Sequence, residues 1–97
     1  MATYIVLGQW TQQGMRDIKE SASRLAANKE LFATFGVELK GAYLVLGQYD
    51  FVMIVDAADD ETIAKLLLIV GSKGSVRTET LRAFAENEYQ EIIESLP

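Results

Sequence analysis

The chain has 97 residues, a formal net charge of −5, and neither cysteine nor histidine. These absences exclude disulfide frameworks, thiolate zinc sites, cysteine nucleophiles and serine–histidine–aspartate triads. Fourteen acidic residues against nine basic ones, with no basic run, argue against nucleic acid as a partner. Hydrophobic residues at 49% and charged residues at 24% are typical of globular proteins, so we predict a single domain over residues 1–97.

The sequence also bears on location and cofactors. No charged lead precedes the apolar stretch after Met1, and the aliphatic runs are far shorter than the roughly 20 residues of a membrane helix. We therefore expect a soluble, cytoplasmic protein that does not bind membranes. Without histidine or cysteine we expect no cofactor and no metal, although the carboxylates leave an oxygen-only magnesium or calcium site open.

The first third of the chain predicts a strand followed by a long helix. Thr3–Trp10 is rich in β-branched and aromatic residues, which favour strands. Thr11 can cap the next helix, in which apolar residues recur at spacings of three, four and seven. That helical face extends over Gln12–Phe35, and Gly36 supplies a C-terminal stop.

The middle of the chain predicts a β-hairpin. Its strands are Val37–Gly47 and Asp50–Val55, joined by a tight connection at Gln48 and Tyr49. Gly41 inside the first of these strands predicts a bulge or bend.

The rest of the chain predicts a helix, a strand and a final helix. Asp59 or Asp56 can cap the first of these helices, whose opening turn carries acidic residues that favour its positive end. A glycine-containing segment, Gly71–Ser75, then ends this helix and turns the chain. The three elements are helix Thr62–Val70, strand Val76–Ala83 and amphipathic helix Phe84–Leu96.

The element order β-α-β-β-α-β, with a terminal helix, predicts a ferredoxin-like α+β fold. One antiparallel four-stranded sheet would carry both crossover helices on the same face. Alternation along the strands leaves about seven large apolar side chains on the opposite face, which should otherwise be polar. We predict that a second copy covers this face in a sheet-to-sheet dimer; the alternative is that the C-terminal helix folds over it. Helix Thr62–Val70 is apolar almost all round, which favours assemblies of such dimers.

Several motifs resemble one protein family. They are Gly47-Gln48-Tyr49-Asp50, Asp59-Asp60-Glu61, Gly74-Ser75-Val76-Arg77-Thr78-Glu79-Thr80 and Ala83-Phe84. The pattern is similar to that of the GYD-domain family, named for the glycine, tyrosine and aspartate matched here by Gly47, Tyr49 and Asp50. The resemblance covers nearly the whole chain and implies a dimeric α+β barrel. Relatives of that fold include cofactor-free monooxygenases, isomerases and ligand-sensing domains, so the resemblance implies a fold and an assembly but no catalytic residues.

Two sets of residues are candidates for a ligand site. Tyr49 and Asp50 place a hydroxyl and a carboxylate at the hairpin turn, where they could orient a polar ligand or move a proton beside the dimer seam. The alternative is a purely structural turn, since aspartate is a standard turn residue. Thr78, Thr80 and Arg82 share one face of their strand and offer an anion or carbonyl site. The alternatives there are protection of an edge strand and an ion pair between Arg82 and Asp50.

These observations predict a homo-oligomer, a dimer or a multiple of dimers, that binds a small organic ligand between its sheet and helices. The polar contacts would be Tyr49, Asp50, Thr78, Thr80 and Arg82. One alternative is a cofactor-free enzyme, monooxygenase-like or isomerase-like, that uses Tyr49 and Asp50 for proton transfer. Another is a structural component of an assembly with no pocket. The residues alone leave these three functions open.

Overall fold

The computed structural model, which describes residues 1–97, contains one four-stranded antiparallel sheet. Its strands are β1 (Ala2–Trp10), β2 (Glu38–Leu44), β3 (Phe51–Ala57) and β4 (Val76–Ala83). They pair in the order β2-β3-β1-β4, so the two most apolar strands are central. The predicted ferredoxin-like α+β fold is confirmed, and the predicted bounds of the fourth strand match those observed.

The long helix predicted over Gln12–Phe35 is wrong, because the chain breaks it near Asp17. The observed segments are α1 (Gln12–Arg16), a 3-10 turn (Ile18–Glu20) and α2 (Ser21–Thr34). Arg24 Nη1 donates a hydrogen bond to the Asp17 carbonyl oxygen at 2.9 Å, so a side chain satisfies a carbonyl at the break. The apolar spacing does not reveal the break, because a short 3-10 turn preserves a spacing of three.

The connection between β2 and β3 is longer than the predicted two-residue turn. β2 ends at Leu44, and six residues, Val45–Asp50, lead into β3. Gly47 lies in this loop at φ +139°, a backbone region that residues with a Cβ rarely adopt. The predicted irregularity at Gly41 is confirmed, since the β2–β3 register shifts between Leu39 and Gly41.

The core lies between one face of the sheet and the helices α2 and α3 (Asp60–Ser72). Alternate residues of the central strands point toward these helices, and their side chains are buried. The largest fully buried side chain is Leu66 of α3. The core residues are Tyr4, Val6, Phe32, Val37, Met53, Val55, Ala57, Ile63, Leu66 and Val70.

Both predicted helix caps are present. The Thr11 side chain accepts a hydrogen bond from Gly14 N at 3.2 Å, and Asp59 Oδ1 accepts one from Thr62 N at 2.8 Å. Gly14 is buried against the turn before β4, where a Cβ added to it would clash with the Ser75 carbonyl oxygen. Only glycine therefore allows α1 to approach this turn so closely.

The opposite face of the sheet, here called the outer face, is apolar at its centre and has no helix packed on it. Its central residues are Ile5, Leu7, Val52, Ile54 and Leu81, which the strand registers place side by side. Helix α4 (Glu86–Glu94) has no buried residue and does not cover this face, contrary to the alternative raised above. The molecule is correspondingly elongated, 52 × 31 × 18 Å, with a radius of gyration of 14.7 Å against about 13 Å for a compact chain of this length. None of its helices is long and apolar enough to span a membrane.

Candidate functional site

A cleft of about 500 Å³ opens between α3 and the edge of the sheet formed by β1 and β4. One wall is the apolar side of α3, and the other carries hydroxyl and guanidinium groups from the strands. We call it the α3–β4 cleft, and its lining residues are Tyr4, Asp60, Ile63, Ala64, Leu67, Leu68, Thr78, Thr80 and Arg82.

Tyr4 and Asp60 form the polar pair of this cleft. The Tyr4 ring is buried in the core, and its hydroxyl donates a hydrogen bond to Asp60 Oδ1 in the first turn of α3. Burial, together with this hydrogen bond to a carboxylate, raises the pKa of Tyr4 to about 12. Tyr4 is therefore a neutral hydrogen-bond donor at physiological pH, and its hydroxyl donates to Asp60.

Arg82 supplies the positive charge of the cleft. Its guanidinium lies 5.6 Å from the centre of the Tyr4 ring and 4.4 Å from that of Phe84, within the range of cation–π attraction. Its Nη1 also donates to the carbonyl oxygens of Thr3, at 3.3 Å, and Ala83. The ion pair of Arg82 with Asp50 considered above does not form, because Arg82 pairs with Tyr4 in the β1–β4 register while Asp50 contacts the other end of β1.

The two threonines lie on the same face of β4 as Arg82. In the β1–β4 register Thr80 is opposite Val6 and Thr78 is opposite Gly8, both on the face that meets the helices. Three of the five predicted site residues, Thr78, Thr80 and Arg82, are therefore brought together in one cleft.

Tyr49 and Asp50 lie elsewhere, in the loop that crosses the end of β1. Asp50 N donates to the Gly8 carbonyl oxygen at 2.8 Å, and Asp50 Oδ2 accepts from Trp10 N at 3.0 Å. Asp50 thus extends the pairing of β3 with β1 by a backbone bond and a side-chain bond. Neither residue lines the α3–β4 cleft.

The Tyr49 side chain reaches the outer face. Its hydroxyl donates to Glu79 Oε2 at 2.5 Å, and Glu79 pairs with Leu7 of the outer face in the β1–β4 register. This hydrogen bond to a carboxylate raises the pKa of Tyr49. Tyr49 therefore ties the β2–β3 loop to the far edge strand of the sheet.

Sequence reasoning missed Tyr4 and Asp60 as members of the site. In the sequence, Asp60 is one of several acids at a helix start, and Tyr4 is one of several strand aromatics. Their contact joins residues 56 positions apart, and only the packing of α3 against β1 brings them together. Alternation does place Tyr4 and Val6 on one face, so the signal for Tyr4 is its hydroxyl on a face that is otherwise apolar.

These features define a small ferredoxin-like α+β domain with a cleft between α3 and β4 and an uncovered sheet face. The chain belongs to the GYD domain family, whose family model matches residues 4–93. It is 43% identical over 84 residues to a Thermus thermophilus protein named "Glutamine synthetase and cystathionine beta-lyase binding protein", covering 86% of this chain and 88% of that protein.

Solved structures show the same fold. The crystal structure of TTHA0845 from Thermus thermophilus matches with a TM-score of 0.56 and 30% identity, covering 87% of this chain and 94% of that one. The crystal structure of an FFRP protein matches 87% of this chain and its own full length with a TM-score of 0.57. At 21% identity the second structure is informative about the fold alone.

Proposed function

We propose that this chain is a non-catalytic binding protein that assembles with itself and docks onto enzymes. The observation that carries the proposal is that one small chain exposes apolar side chains on three separate surfaces. Leu81 of the outer face is 43% exposed, Leu68 of α3 is 74% exposed, and Ile93 of α4 is 50% exposed. Large exposed apolar surfaces on soluble domains mark interaction sites, and a single dimer contact does not need three of them.

The first of these surfaces, the outer face, fits a second copy of the chain. Its apolar centre is bordered by polar groups: Thr3 Oγ1 donates to Asp56 Oδ1 at 2.8 Å at one end, and Tyr49 bonds Glu79 toward the other. An apolar centre within a polar rim is the usual anatomy of a protein interface. A two-fold axis would place this face against itself, which gives the sheet-to-sheet homodimer expected from the sequence.

The enzyme partners are proposed from the relative that is 43% identical. Its name states that it binds glutamine synthetase and cystathionine beta-lyase. We propose that this chain binds the corresponding enzymes of its own organism through surfaces left free by the homodimer. A cytoplasmic location is part of the proposal, and a chain without cysteine needs no oxidising compartment in order to fold.

Surface plasmon resonance with the two purified enzymes tests this function. We expect saturable binding of at least one enzyme to the immobilised protein. Ile54→Lys places a charge in the outer face, so it should give monomers in light scattering and weaken enzyme binding if the dimer is the binding unit. Glu30→Lys on the exposed surface of α2 is the matched control, and it should change neither result. Absence of binding to both enzymes would contradict the proposed docking.

A small organic ligand in the α3–β4 cleft is a second candidate function. The observation in its favour is that Thr78, Thr80 and Arg82 face an apolar helix wall across one cleft, with the Tyr4–Asp60 pair beside them. Such a site suits a mostly apolar molecule with one polar end, because few polar groups fix its orientation while apolar area provides affinity.

Native mass spectrometry of the purified protein tests the ligand proposal. A small molecule retained by the wild type would appear as extra mass. Loss of this extra mass in Leu68→Glu, which places a carboxylate in the apolar wall of the cleft, would support the ligand proposal. Glu61→Gln, at an exposed position in the first turn of α3, is the control that should keep the mass. Loss of the extra mass in both variants, or no bound mass after expression in several hosts, would count against a cleft ligand.

The enzymatic alternative receives no support from the geometry. The Tyr49 hydroxyl is bonded to Glu79, and the Asp50 carboxylate accepts from the backbone of Trp10. A carboxylate that already accepts a structural hydrogen bond and lies outside the α3–β4 cleft is poorly placed to take a proton from a substrate in that cleft. We therefore assign both residues to the architecture of the loop in this proposal.

A further inference from the structure

We propose that helix α4 of one copy packs along the mouth of the α3–β4 cleft of a second copy and closes it. The inference rests on the proposed self-assembly, but it concerns a contact separate from the outer face. It begins from two surfaces that the single chain leaves unpaired: the apolar stripe of α4 and the apolar lip of the cleft.

The stripe on α4 consists of Tyr89, Ile92 and Ile93, which are 58%, 42% and 50% exposed, and Leu96, 61% exposed, follows just after the helix ends. At 3.6 residues per turn the three helical side chains occupy an arc of about 100°, with Glu86 and Glu88 on its two borders. A helix of nine residues is too short to be stable alone in water. This helix therefore needs a partner surface that is apolar and has basic groups at its edge.

The mouth of the α3–β4 cleft has that character. Ala64, Leu67 and Leu68 of α3 form its apolar lip, and Arg82 lies on the facing strand. Lys65 follows Ala64 on α3 and is exposed, bonded only to Glu61 of the same helix at 3.3 Å. The acidic borders of the α4 stripe are therefore complementary in charge to Arg82, whereas Asp60 and Glu61 make the N-terminal end of α3 acidic.

The direction of the chain after β4 argues for a second copy rather than the same one. Arg82 stacks on Phe84 at 4.4 Å and bonds the carbonyl oxygens of Thr3 and Ala83, which fixes the residues that leave the sheet. Ala85 is the N-cap residue of α4 and has an extended backbone conformation. Its N–H donates a hydrogen bond to Glu88 Oε1 at 3.0 Å. With both links fixed, no free residues remain between β4 and α4 to turn the helix back toward its own cleft.

This contact would leave the polar floor of the cleft free. Tyr4 and Thr80 lie on the strand side and Asp60 lies at the N-terminal end of α3, whereas the helix would cover the lip formed by Ala64, Leu67 and Leu68. The second copy would therefore complete a site that is open in the single chain, whether or not a small molecule occupies it.

Engineered disulfides test the contact cleanly, because the chain contains no cysteine. A Leu68→Cys chain and a mass-tagged Ile93→Cys chain are mixed and oxidised, and the disulfide-linked product is separated on a non-reducing denaturing gel. We expect a mixed, tagged dimer, and we expect Ile92→Glu in the tagged chain to abolish it. Lys40→Cys, on the opposite edge strand β2, replaces Leu68→Cys as the matched control and should not cross-link above background.

Three outcomes would overturn the proposal. The first outcome concerns a double variant with Leu68→Cys and Ile93→Cys in one chain. If this variant forms only an intrachain disulfide, both at high dilution and when assembled, α4 folds onto its own cleft. Cross-linking no stronger than that of the Lys40→Cys control would mean that α4 packs elsewhere. A monomer in light scattering would remove the self-assembly on which the contact rests. The second outcome is distinguished from this third one by an intact Ile54-dependent dimer, and it rejects the helix contact alone.

Discussion

Asp50→Ala should weaken the attachment of the β2–β3 loop to β1, and the size of the effect follows from one side-chain hydrogen bond. Asp50 Oδ2 accepts from Trp10 N at 3.0 Å in a partly buried position. Loss of a hydrogen bond to a charged group costs about 1.5–3 kcal/mol when buried, so partial exposure reduces the expected loss to about 1–2 kcal/mol. Asp50→Asn keeps an oxygen acceptor at the same place, and it should cost less than about 1 kcal/mol.

Urea unfolding followed by tryptophan fluorescence is the appropriate assay, because Trp10 is the only tryptophan and lies at this bond. All variants are compared at one protein concentration, since self-association changes the apparent free energy of unfolding. Asp17→Ala removes a carboxylate that caps nothing, and it should stay within about 0.5 kcal/mol of the wild type. An Asp50→Asn variant as unstable as Asp50→Ala would refute the reasoning, because the carboxylate would then act through its charge rather than as an acceptor.

Three further predictions concern pH, packing and capping. The pKa of Tyr4 is raised from 10.0 to about 12, so its contribution to stability is complete below pH 10 and is lost as the pH rises through about 12. Tyr4→Phe should reduce this alkaline loss of stability by roughly 2 kcal/mol, as measured by urea titrations at pH 9 and pH 12. An undiminished loss in the variant would contradict the assignment. Gly14→Ala should lower the free energy of unfolding by about 1–3 kcal/mol in thermal unfolding, despite the higher helix propensity of alanine, because the alanine Cβ would clash with the Ser75 backbone. An unchanged stability would contradict this close approach. The hydrogen bonds from Thr62 lower the pKa of Asp59, so the stability that its ionised form contributes is present above the ordinary pKa and is lost as the pH falls. Asp59→Ala should therefore lower the midpoint of urea unfolding more at pH 7 than at pH 2. An equal loss at both pH values would contradict the capping role.

Local sequence patterns predict most of this fold but not its interruptions. The strand Val76–Ala83 is bounded by a glycine-containing turn and by an acidic amphipathic segment, so its limits are encoded locally. The break at Asp17 depends on Arg24, a side chain seven positions away whose guanidinium replaces the lost helical bonding. The early end of β2 depends on a loop that bonds to β1, which lies some 40 residues earlier in the chain.

The candidate site was predictable to the extent that strand alternation governs it. Thr78, Thr80 and Arg82 reach one cleft because residues two apart on a strand share a face. Alternation does not place a loop residue on a face, so Tyr49 and Asp50 could not be positioned until the loop itself was known. The Tyr4–Asp60 pair depends on tertiary contact across 56 positions, which the sequence pattern does not specify.

Gly47, Tyr49 and Asp50, which carry the resemblance to the GYD domain family, all have a structural role in this chain. Gly47 allows the loop to turn, Asp50 fastens it to β1, and Tyr49 fastens it to Glu79 on β4. In this chain the motif therefore ties the loop to both β1 and β4, and it contributes no side chain to the α3–β4 cleft. The motif thus sets the geometry of the scaffold, while α3 and α4, two of the surfaces proposed for partners, are built from other residues.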